Sequence, residues 1–309
     1  MSLFNRRDFM ATSCLSTALP VATSLGNPLF AESKPPQFID AHVHVWTPDT
    51  QRYPLAEGYK KSDINPVSFT PEQLFAHCRP TGVTRIVLIQ MSFYRFDNSY
   101  MLDAMKKFSG VFGGVGIVDE NNQPVRHMLK QARHGVRGFR IQPKGRPANQ
   151  WLTGDGMQAM WQAGAKHGLA MCPLIDVEHL PSVGEMCKLH PDTPVVIDHF
   201  GRVGIDGEIR KADLDQLCAL AKHRNVSVKI SAYYALGKKQ APYEDLLPMI
   251  KRCLDAFGPE RLMWASDGPF QVVKGHEYAP SIDLIKNAEF LSAGDKDLLL
   301  RGTAERVFF

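Results

Sequence analysis

Residues 38–46 read Phe38-Ile39-Asp40-Ala41-His42-Val43-His44-Val45-Trp46. This apolar run with two histidines is typical of a β-strand that carries polar groups near its end. Because side chains alternate between the two faces of a strand, His42 and His44 point to the same side. Two imidazoles on one face can bind a metal ion or hold a substrate oxygen. We therefore predict a functional site at this strand; the alternative is a pair of surface histidines on an edge strand.

The composition is that of a globular protein with a large core. The chain has 309 residues, of which 44% are hydrophobic and 22% are charged. These fractions are ordinary for globular domains. The formal net charge of +4 is too small to indicate nucleic-acid or membrane binding by itself. We therefore expect a small-molecule substrate, no nucleic-acid partner and no stable membrane insertion once the N-terminal segment is removed.

The N-terminus resembles a twin-arginine export signal. Arg6 and Arg7 precede Phe9 and a weakly apolar run of small residues that extends to Ala31. Paired arginines before such a run are typical of this export route; a disordered tail and a mitochondrial transit peptide are the alternatives. We predict a signal peptide over residues 1–31, one domain over residues 32–309 and a periplasmic location.

The cysteines do not suggest a disulfide framework. The chain has six, one of which, Cys14, lies in the predicted signal. The remaining five are scattered singly without a CxxC pair, and an odd number argues against paired bridges. We expect them to be small buried hydrophobic residues without a function in catalysis.

From residue 38 onward, short apolar runs alternate with amphipathic segments. The predicted strands are 38–45, 85–90, 112–118, 136–142, 169–175, 194–198, 226–231 and 261–266, and the predicted helices lie near 70–78, 99–108, 124–133, 156–167, 178–189, 212–223, 243–256 and 281–301. Nearly continuous apolar strands separated by helices favour parallel pairing. Eight such units in about 270 residues predict a single-domain α/β protein, a (β/α)8 TIM barrel. A doubly wound open sheet is the alternative, but no Gly-rich phosphate turn follows any strand.

Polar residues end five of the predicted strands. Barrels of this kind carry their active sites at the C-terminal ends of the strands. The residues are His42 and His44 on the first strand, Gln90 and Ser92 on the second, Arg140 on the fourth, His199 on the sixth and Asp267 on the eighth. We expect these side chains to converge on one site.

The ordered set resembles the amidohydrolase superfamily over residues 38–309. The resemblance rests on the HxH motif of the first strand, on His199 and on Asp267. Three further segments are similar to the lactonase branch that includes 2-pyrone-4,6-dicarboxylate lactonase. They are Gln90-x-Ser92 with Asp97-Asn98, Arg137-Gly138-Phe139-Arg140 with Arg146, and Asp198-His199-Phe200-Gly201-Arg202. The resemblance implies that the aspartate activates water, that the histidines hold the lactone carbonyl or a metal, and that the arginines hold substrate carboxylates.

The residues suit ester hydrolysis on their own account. This reaction needs a base near a water molecule and a positive centre where the oxyanion develops. Asp267 is the carboxylate that we place at the end of the eighth strand, and we predict it to be the general base. His42, His44 and His199 can act directly as the electrophile, or can hold one Zn²⁺ together with Asp267.

Three arginines are suited to bind an anionic substrate. Arg140, Arg146 and Arg202 can each form two parallel hydrogen bonds with a carboxylate, which lysine does less well. An ion pair within the barrel is the alternative for Arg140, and a solvated loop charge is the alternative for Arg146. Tyr233 or Tyr234 lines the pocket or packs in the core, and we predict Tyr233 as a substrate contact together with Gln90, Ser92 and the arginines.

The sequence departs from the lactonase branch in several places. Ala235 stands where relatives commonly carry an arginine, and Gly268 and Phe270 replace the Trp and His that tend to flank the proline. The fifth strand ends without a histidine, and Arg140 replaces a lysine that could be carbamylated. A dinuclear metal site would therefore lack its bridging ligand. We expect one weakly held divalent cation or none, with the metal-free route slightly favoured.

We predict a hydrolase that opens a lactone, a cyclic ester derived from an acidic sugar or an aromatic acid. The alternatives are a metal-dependent decarboxylase or an amide hydrolase of the same superfamily, and an exported binding protein without catalysis. The missing histidine of the fifth strand argues against the decarboxylase.

Overall fold

The computed structural model describes residues 37–309. The predicted signal peptide and its boundary at residue 31 lie outside the described residues. Eight parallel strands form one sheet in chain order. The strands are β1 (Phe38–Val43), β2 (Val83–Ile89), β3 (Phe112–Gly116), β4 (Val136–Ile141), β5 (Ala170–Pro173), β6 (Val195–Ile197), β7 (Val226–Ile230) and β8 (Leu262–Trp264). They coincide with the eight predicted strands, but each ends one or two residues earlier than predicted.

The sheet closes between β1 and the segment that follows β8. The backbone N–H of His44 donates to the carbonyl of Gly268 over 2.8 Å, and that of Asp267 donates to the carbonyl of His42 over 2.9 Å. Val43 and Gly268 form a parallel bridge at the same place. Since sequential strands pair in parallel all the way round, the predicted single-domain (β/α)8 barrel is confirmed.

Helices connect the strands and cover the outside of the barrel. They are α1 (Pro71–Cys78), α2 (Ser99–Lys107), α3 (Pro124–Ala132), α4 (Asp155–His167), α5 (Leu180–Leu189), α6 (Lys211–Ala219), α7 (Leu247–Phe257), α8 (Tyr278–Asn287), α9 (Ala293–Asp297) and α10 (Thr303–Phe308). No helix among the described residues is long and apolar enough to cross a membrane.

The last predicted helix, near 281–301, is interrupted in the structure. The helix α8 ends at Asn287, and Ser292 begins α9 by accepting a hydrogen bond from the backbone N–H of Asp295. The Asp295 carboxylate accepts from the backbone N–H of Ser292 in return. This reciprocal capping favours a new helix start over continuation.

The core has an inner and an outer layer. Mostly small and branched side chains fill the barrel interior, among them Ile39, Ala41 and Val115, and Phe308 of α10 packs into this inner cluster. A Cβ at Gly113 would lie only 2.8 Å from the carbonyl oxygen of Phe308, so this strand position requires glycine. The larger aromatic and aliphatic residues lie between the barrel and its helices.

The strand β1 does not alternate strictly. Its pairing with β2 shifts in register between Asp40 and Val43. The Asp40 carboxylate therefore faces α8, where it accepts a hydrogen bond from the Tyr278 hydroxyl over 2.5 Å, while the rings of His42 and His44 face the barrel mouth. Strict alternation would have placed all three side chains together. The irregularity thus separates a structural carboxylate from the site.

Candidate active site

The two histidines of β1 present nitrogen lone pairs to each other. Their Nε2 atoms lie 3.3 Å apart. The Nδ1 atom of His44 lies 2.8 Å from the carbonyl oxygen of Ile89, which can only accept, so Nδ1 carries the hydrogen and Nε2 is the free acceptor. The Nε2 atom of His42 lies 2.8 Å from Nη2 of Arg140, which can only donate, so this Nε2 is an acceptor as well.

Asp267 completes a triangle with these nitrogens. Its Oδ1 lies 3.4 Å from Nε2 of His42 and 3.4 Å from Nε2 of His44. This oxygen is buried and has no hydrogen-bond partner. The other oxygen, Oδ2, accepts a hydrogen bond from the Tyr234 hydroxyl over 2.7 Å. The two carboxylate oxygens therefore face different surroundings.

The triangle fits one metal ion. Three acceptors that face one another without a hydrogen between them repel, and a cation removes this repulsion. A tetrahedral ion with ligands at about 2.0–2.1 Å places neighbouring ligand atoms about 3.3–3.4 Å apart, which is the separation found here. His42, His44 and Asp267 form such a group within residues 37–309. His199, predicted as a fourth ligand, lies outside this triangle.

His199 nevertheless lies in the same site. Its ring centroid is 4.4 Å from that of His42, and its Nε2 is 3.7 Å from Oδ2 of Asp267. Its Nδ1 is 2.8 Å from the hydroxyl oxygen of Ser231, which fixes the orientation of the ring. This position suits contact with a substrate oxygen.

Several residues at the strand ends have unusual backbone angles. The φ angles of His199, Ala232 and Asp267 are 53°, 60° and 65°, in the left-handed region that non-glycine residues rarely adopt. Such strain persists where the surroundings hold it in place, and it clusters at functional sites. Here it lets the chain turn at once after the strand and directs side chains into the barrel mouth.

A buried charge cluster lies beneath the histidines. The Asp198 carboxylate is 3.0 Å from Nζ of Lys229 and 3.2 Å from Nη2 of Arg140. Its Oδ1 is also 3.3 Å from Nδ1 of His42. Lys229 and Asp198 are both fully buried. With Asp267, the cluster holds two carboxylates and two cations.

The cluster fixes the charge states of the site. Burial lowers the pKa of His42 well below its usual value, and the nearby Lys229 ammonium lowers it further. Burial also lowers the pKa of His199. Burial alone would raise the pKa of Asp198, but Lys229, His42 and Arg140 outweigh it and hold this pKa well below its usual value. Both histidines are therefore neutral and the carboxylate is ionised near neutral pH.

The pKa of Asp267 is lowered in a similar balance. Burial by itself raises this pKa, but the neighbouring imidazoles of His199, His44 and His42 together outweigh it. Asp267 is consequently a carboxylate in the pH range in which a hydrolase works, and it can accept a proton or ligate a cation.

A cavity of about 340 Å³ opens above these residues. Of the predicted substrate contacts, Ser92, Arg140 and Arg202 line it. The other lining residues are His44, Met91, Leu174, His199, Ile205, Ala232, Tyr234, Ala235, Leu236, Asp267 and Phe270. The cavity is thus lined by both polar groups and apolar side chains, as small-molecule sites are.

Three predicted substrate contacts lie elsewhere. Gln90 donates to the carbonyls of Asp97 and Arg95 over 2.6 and 3.3 Å and so shapes the loop after β2. Arg146 contacts Glu120 and lines a neighbouring cavity that shares Arg202 with the first. The partners of Gln90 lie in the loop that follows it, whereas the partner of Arg146 lies 26 residues away.

Tyr233, also predicted as a substrate contact, is buried instead. Its ring lies 5.8 Å from that of Tyr243, and Tyr234 takes the position in the cavity. The left-handed Ala232 starts a short turn over Tyr233–Ala235, which brings the second tyrosine to the mouth. The sequence does not show which of the two tyrosines lines the cavity, because it does not reveal this turn.

Asp198 and Lys229 were not predicted as site residues. A signal was available for both, since Lys229 is the one charged residue of the apolar strand β7, and Asp198 follows the apolar strand β6. An ionised side chain on a fully buried strand needs a partner of opposite charge. That requirement could have paired the two residues.

A profile of the amidohydrolase family matches residues 39–309. The chain belongs to this family. An L-fucono-1,5-lactonase of Burkholderia ambifaria is 29% identical to this amidohydrolase over 246 residues, which cover 77% of this chain and 82% of the relative. A 2-pyrone-4,6-dicarboxylate hydrolase of Comamonas testosteroni is 28% identical over 263 residues, with coverages of 80% and 83%.

The fold is shared with solved amidohydrolase structures. The crystal structure of an amidohydrolase from Burkholderia multivorans with bound zinc has a TM-score of 0.73 and 21% identity, and the likeness covers 88% of this chain and 99% of that one. At this identity the likeness shows the barrel fold.

Proposed function

We propose that this amidohydrolase hydrolyses a lactone that carries an acidic group. The observation that carries the proposal is the position of Asp267, an ionised carboxylate that forms one corner of the acceptor triangle and also lines the cavity with Arg140 and Arg202. Relatives that act on L-fucono-1,5-lactone and on 2-pyrone-4,6-dicarboxylate support a cyclic ester as the substrate.

The side chains of the cavity divide the work of ester hydrolysis. The arginines orient the acidic group of the substrate, and His199 contacts the carbonyl oxygen. Asp267 takes a proton from the water that attacks the carbonyl carbon. As the new C–O bond forms, the ring C–O bond breaks, and the departing alkoxide takes the proton back from Asp267 to give a hydroxy acid. Apolar residues such as Phe270 exclude bulk water from the substrate, which strengthens the polar contacts.

We further propose that His42, His44 and Asp267 hold one zinc ion. Two imidazoles and a carboxylate form a donor set that zinc accepts, and the unpartnered Oδ1 of Asp267 supports the metal route over the metal-free route. Bound zinc would polarise the lactone carbonyl and lower the pKa of a water molecule. With Oδ1 directed to the ion, Oδ2 stays on the side of Tyr234 and the cavity, where it can receive a proton.

The test is a screen of the purified protein against acidic and neutral lactones. Ring opening at neutral pH releases one proton per turnover, which a pH-stat measures directly. We expect turnover of acidic lactones and none by Asp267→Asn. Release of CO2 from aromatic acids, or cleavage of amides, in the absence of lactone hydrolysis would contradict the proposal and favour the other reactions of the family.

We propose in addition that residues 1–31 direct export to the periplasm. Arg6 and Arg7 before Phe9 and a run of small residues support this proposal.

A further inference from the structure

Arg140 occupies the lone pair that a metal ion would need. Its Nη2 donates to Nε2 of His42 over 2.8 Å, and the same Nε2 is a corner of the acceptor triangle. One lone pair cannot accept this hydrogen bond and coordinate an ion at once. A guanidinium this close to the ligand atom also repels a dication. In the conformation observed, Arg140 therefore opposes metal binding.

The same guanidinium is a partner for an anion. Arg140 lines the cavity, and its buried Nε has no hydrogen-bond partner. Its other contact in the site is with Asp198, over 3.2 Å. Asp198 also has Lys229 at 3.0 Å, so this carboxylate stays paired when Arg140 turns towards the cavity.

The charge balance of the site also favours joint binding of a cation and an anion. The buried groups Asp198, Asp267, Arg140 and Lys229 carry two negative and two positive charges, so they sum to zero. A dication alone would leave two uncompensated positive charges in a poorly solvated site, which is costly. A substrate carboxylate that arrives with the cation offsets part of this charge. Cation and anion should therefore each favour the binding of the other.

We infer that Arg140 couples the two ligands of this site: it caps His42 when the site is empty and moves to the substrate's anionic group when a divalent cation binds. The inference rests on the proposed function. It adds that the site binds its cation most tightly when an anionic substrate is bound as well. Such coupling is reciprocal, so the cation strengthens anion binding by the same factor.

The experiment measures zinc affinity instead of turnover. Protein stripped with a chelator is titrated with Zn²⁺ in competition with a chromogenic chelator, with and without isophthalate. Isophthalate is a rigid dicarboxylate whose two carboxylates cannot chelate one ion. Wild type is compared with Arg140→Met, and with Arg140→Gln in case the first variant fails to fold. Arg202→Met is the matched control, since Arg202 lines the cavity but pairs with Asp176.

Without isophthalate, we expect both Arg140 variants to bind zinc about 10- to 100-fold more tightly than wild type, the range for one hydrogen bond to a charged group. Isophthalate should tighten zinc binding to wild type about tenfold and leave the Arg140 variants unchanged. Arg202→Met should match wild type without isophthalate. Equal zinc affinities of wild type and both Arg140 variants would overturn the inference.

Two other outcomes are also decisive. In the first, the Arg140 variants bind zinc more tightly than wild type, but isophthalate does not change the zinc affinity of wild type. This result would mean that Arg140 caps His42 but that no anion releases it, so the proposed coupling would be wrong. Failure of lactone hydrolysis with the zinc results as expected would refute the proposed function alone. Lactone hydrolysis with equal zinc affinities would refute the inference alone.

Discussion

The hydroxyl of Tyr234 donates to Oδ2 of Asp267 over 2.7 Å, whereas Oδ1 of the same carboxylate faces two histidines without any hydrogen. The tyrosine thus fixes the plane of the carboxylate. It holds one oxygen towards the acceptor triangle and the other towards the cavity. This contact stands next to Ala235, where lactonase relatives commonly carry arginine, and it shows that the loop after β7 still reaches the reacting groups.

Loss of the Tyr234 hydroxyl should lower kcat more than it changes KM. Tyr234→Phe keeps the ring but frees the carboxylate to rotate, and a hydrogen bond to a charged group is worth about 1.5–3 kcal/mol. We expect kcat to fall about tenfold or more in steady-state assays. Tyr233→Phe is the control, because the Tyr233 hydroxyl is buried without a partner. Equal effects of the two substitutions would show that Tyr234 does not orient the base.

Asp267→Asn should nearly abolish turnover. The amide keeps the shape of the side chain but cannot take a proton, so we expect kcat to fall roughly 10²–10⁴-fold. Binding of isophthalate to the zinc-free variant, followed by calorimetry, should match that of zinc-free wild type because Arg202 is untouched. Asp297→Asn, on the surface of α9, serves as the control. Near-normal turnover of Asp267→Asn would place the base elsewhere.

The three histidines should differ in their effect on metal content. His42→Ala and His44→Ala each remove a corner of the triangle, so the purified variants should contain little zinc. His199→Ala should keep about one zinc per chain and still lose activity, since His199 lies outside the triangle. Elemental analysis together with activity assays measures both properties. Full metal content in all three variants would refute the assigned ligand set.

Chelation of wild type provides a second measurement on the same ligand set. Removal of zinc should abolish lactone hydrolysis, and added zinc should restore it. Zinc at about 100 times its Kd should also stabilise the folded protein by about 2.7 kcal/mol, measured by thermal unfolding. Activity that is indifferent to chelators would favour the metal-free route.

Lys229→Met should destabilise the fold. The substitution leaves Asp198 buried with a reduced set of cations, and breaking a buried pair costs about 3–5 kcal/mol. Urea unfolding measures the loss. The double variant with Asp198→Asn should recover part of it, whereas Lys251→Met, in a surface pair with Asp255, should cost less than about 1 kcal/mol. A Lys229→Met variant as stable as wild type would mean that the cluster needs no ammonium.

Export is tested by replacing Arg6 and Arg7 with lysine. The change keeps the charge and removes the paired arginines that the export receptor reads. We expect the precursor to stay in the cytoplasm, as seen by fractionation and immunoblotting. Undiminished periplasmic protein would contradict the predicted signal.

Sequence patterns were sufficient for the barrel and for the residues that follow its strands directly. Strand order, which is set by apolar runs, brings His42, His44, His199 and Asp267 to the same end of the barrel. The irregularity of β1 and the left-handed backbone at His199 and Asp267 then direct their side chains. The roles of other residues depend on contacts that strand order does not determine. Arg146 forms an ion pair with Glu120. The left-handed backbone at Ala232 places Tyr234 in the cavity and Tyr233 in the core.

The buried charge cluster of Asp198 and Lys229 was missing from the sequence-based prediction for a different reason. Lys229 and Asp198 come from β7 and from the end of β6, and each needs a partner of opposite charge in the interior, which the other supplies. Propensity and periodicity treat each strand separately, so neither can show such a pair. A search for unmatched charges on buried strands would have found it.

The barrel is joined by backbone hydrogen bonds from Asp267 to His42 and from His44 to Gly268, and these are the segments that supply the acceptor triangle. The first and last strands of the domain therefore meet at the catalytic groups. A chain that has not yet reached residue 262 lacks Asp267, so its acceptor triangle is incomplete whatever else has folded. Catalysis consequently requires the complete, closed barrel. A ligand that binds residues of both the first strand and the segment after the last strand stabilises the barrel against separation of these two segments.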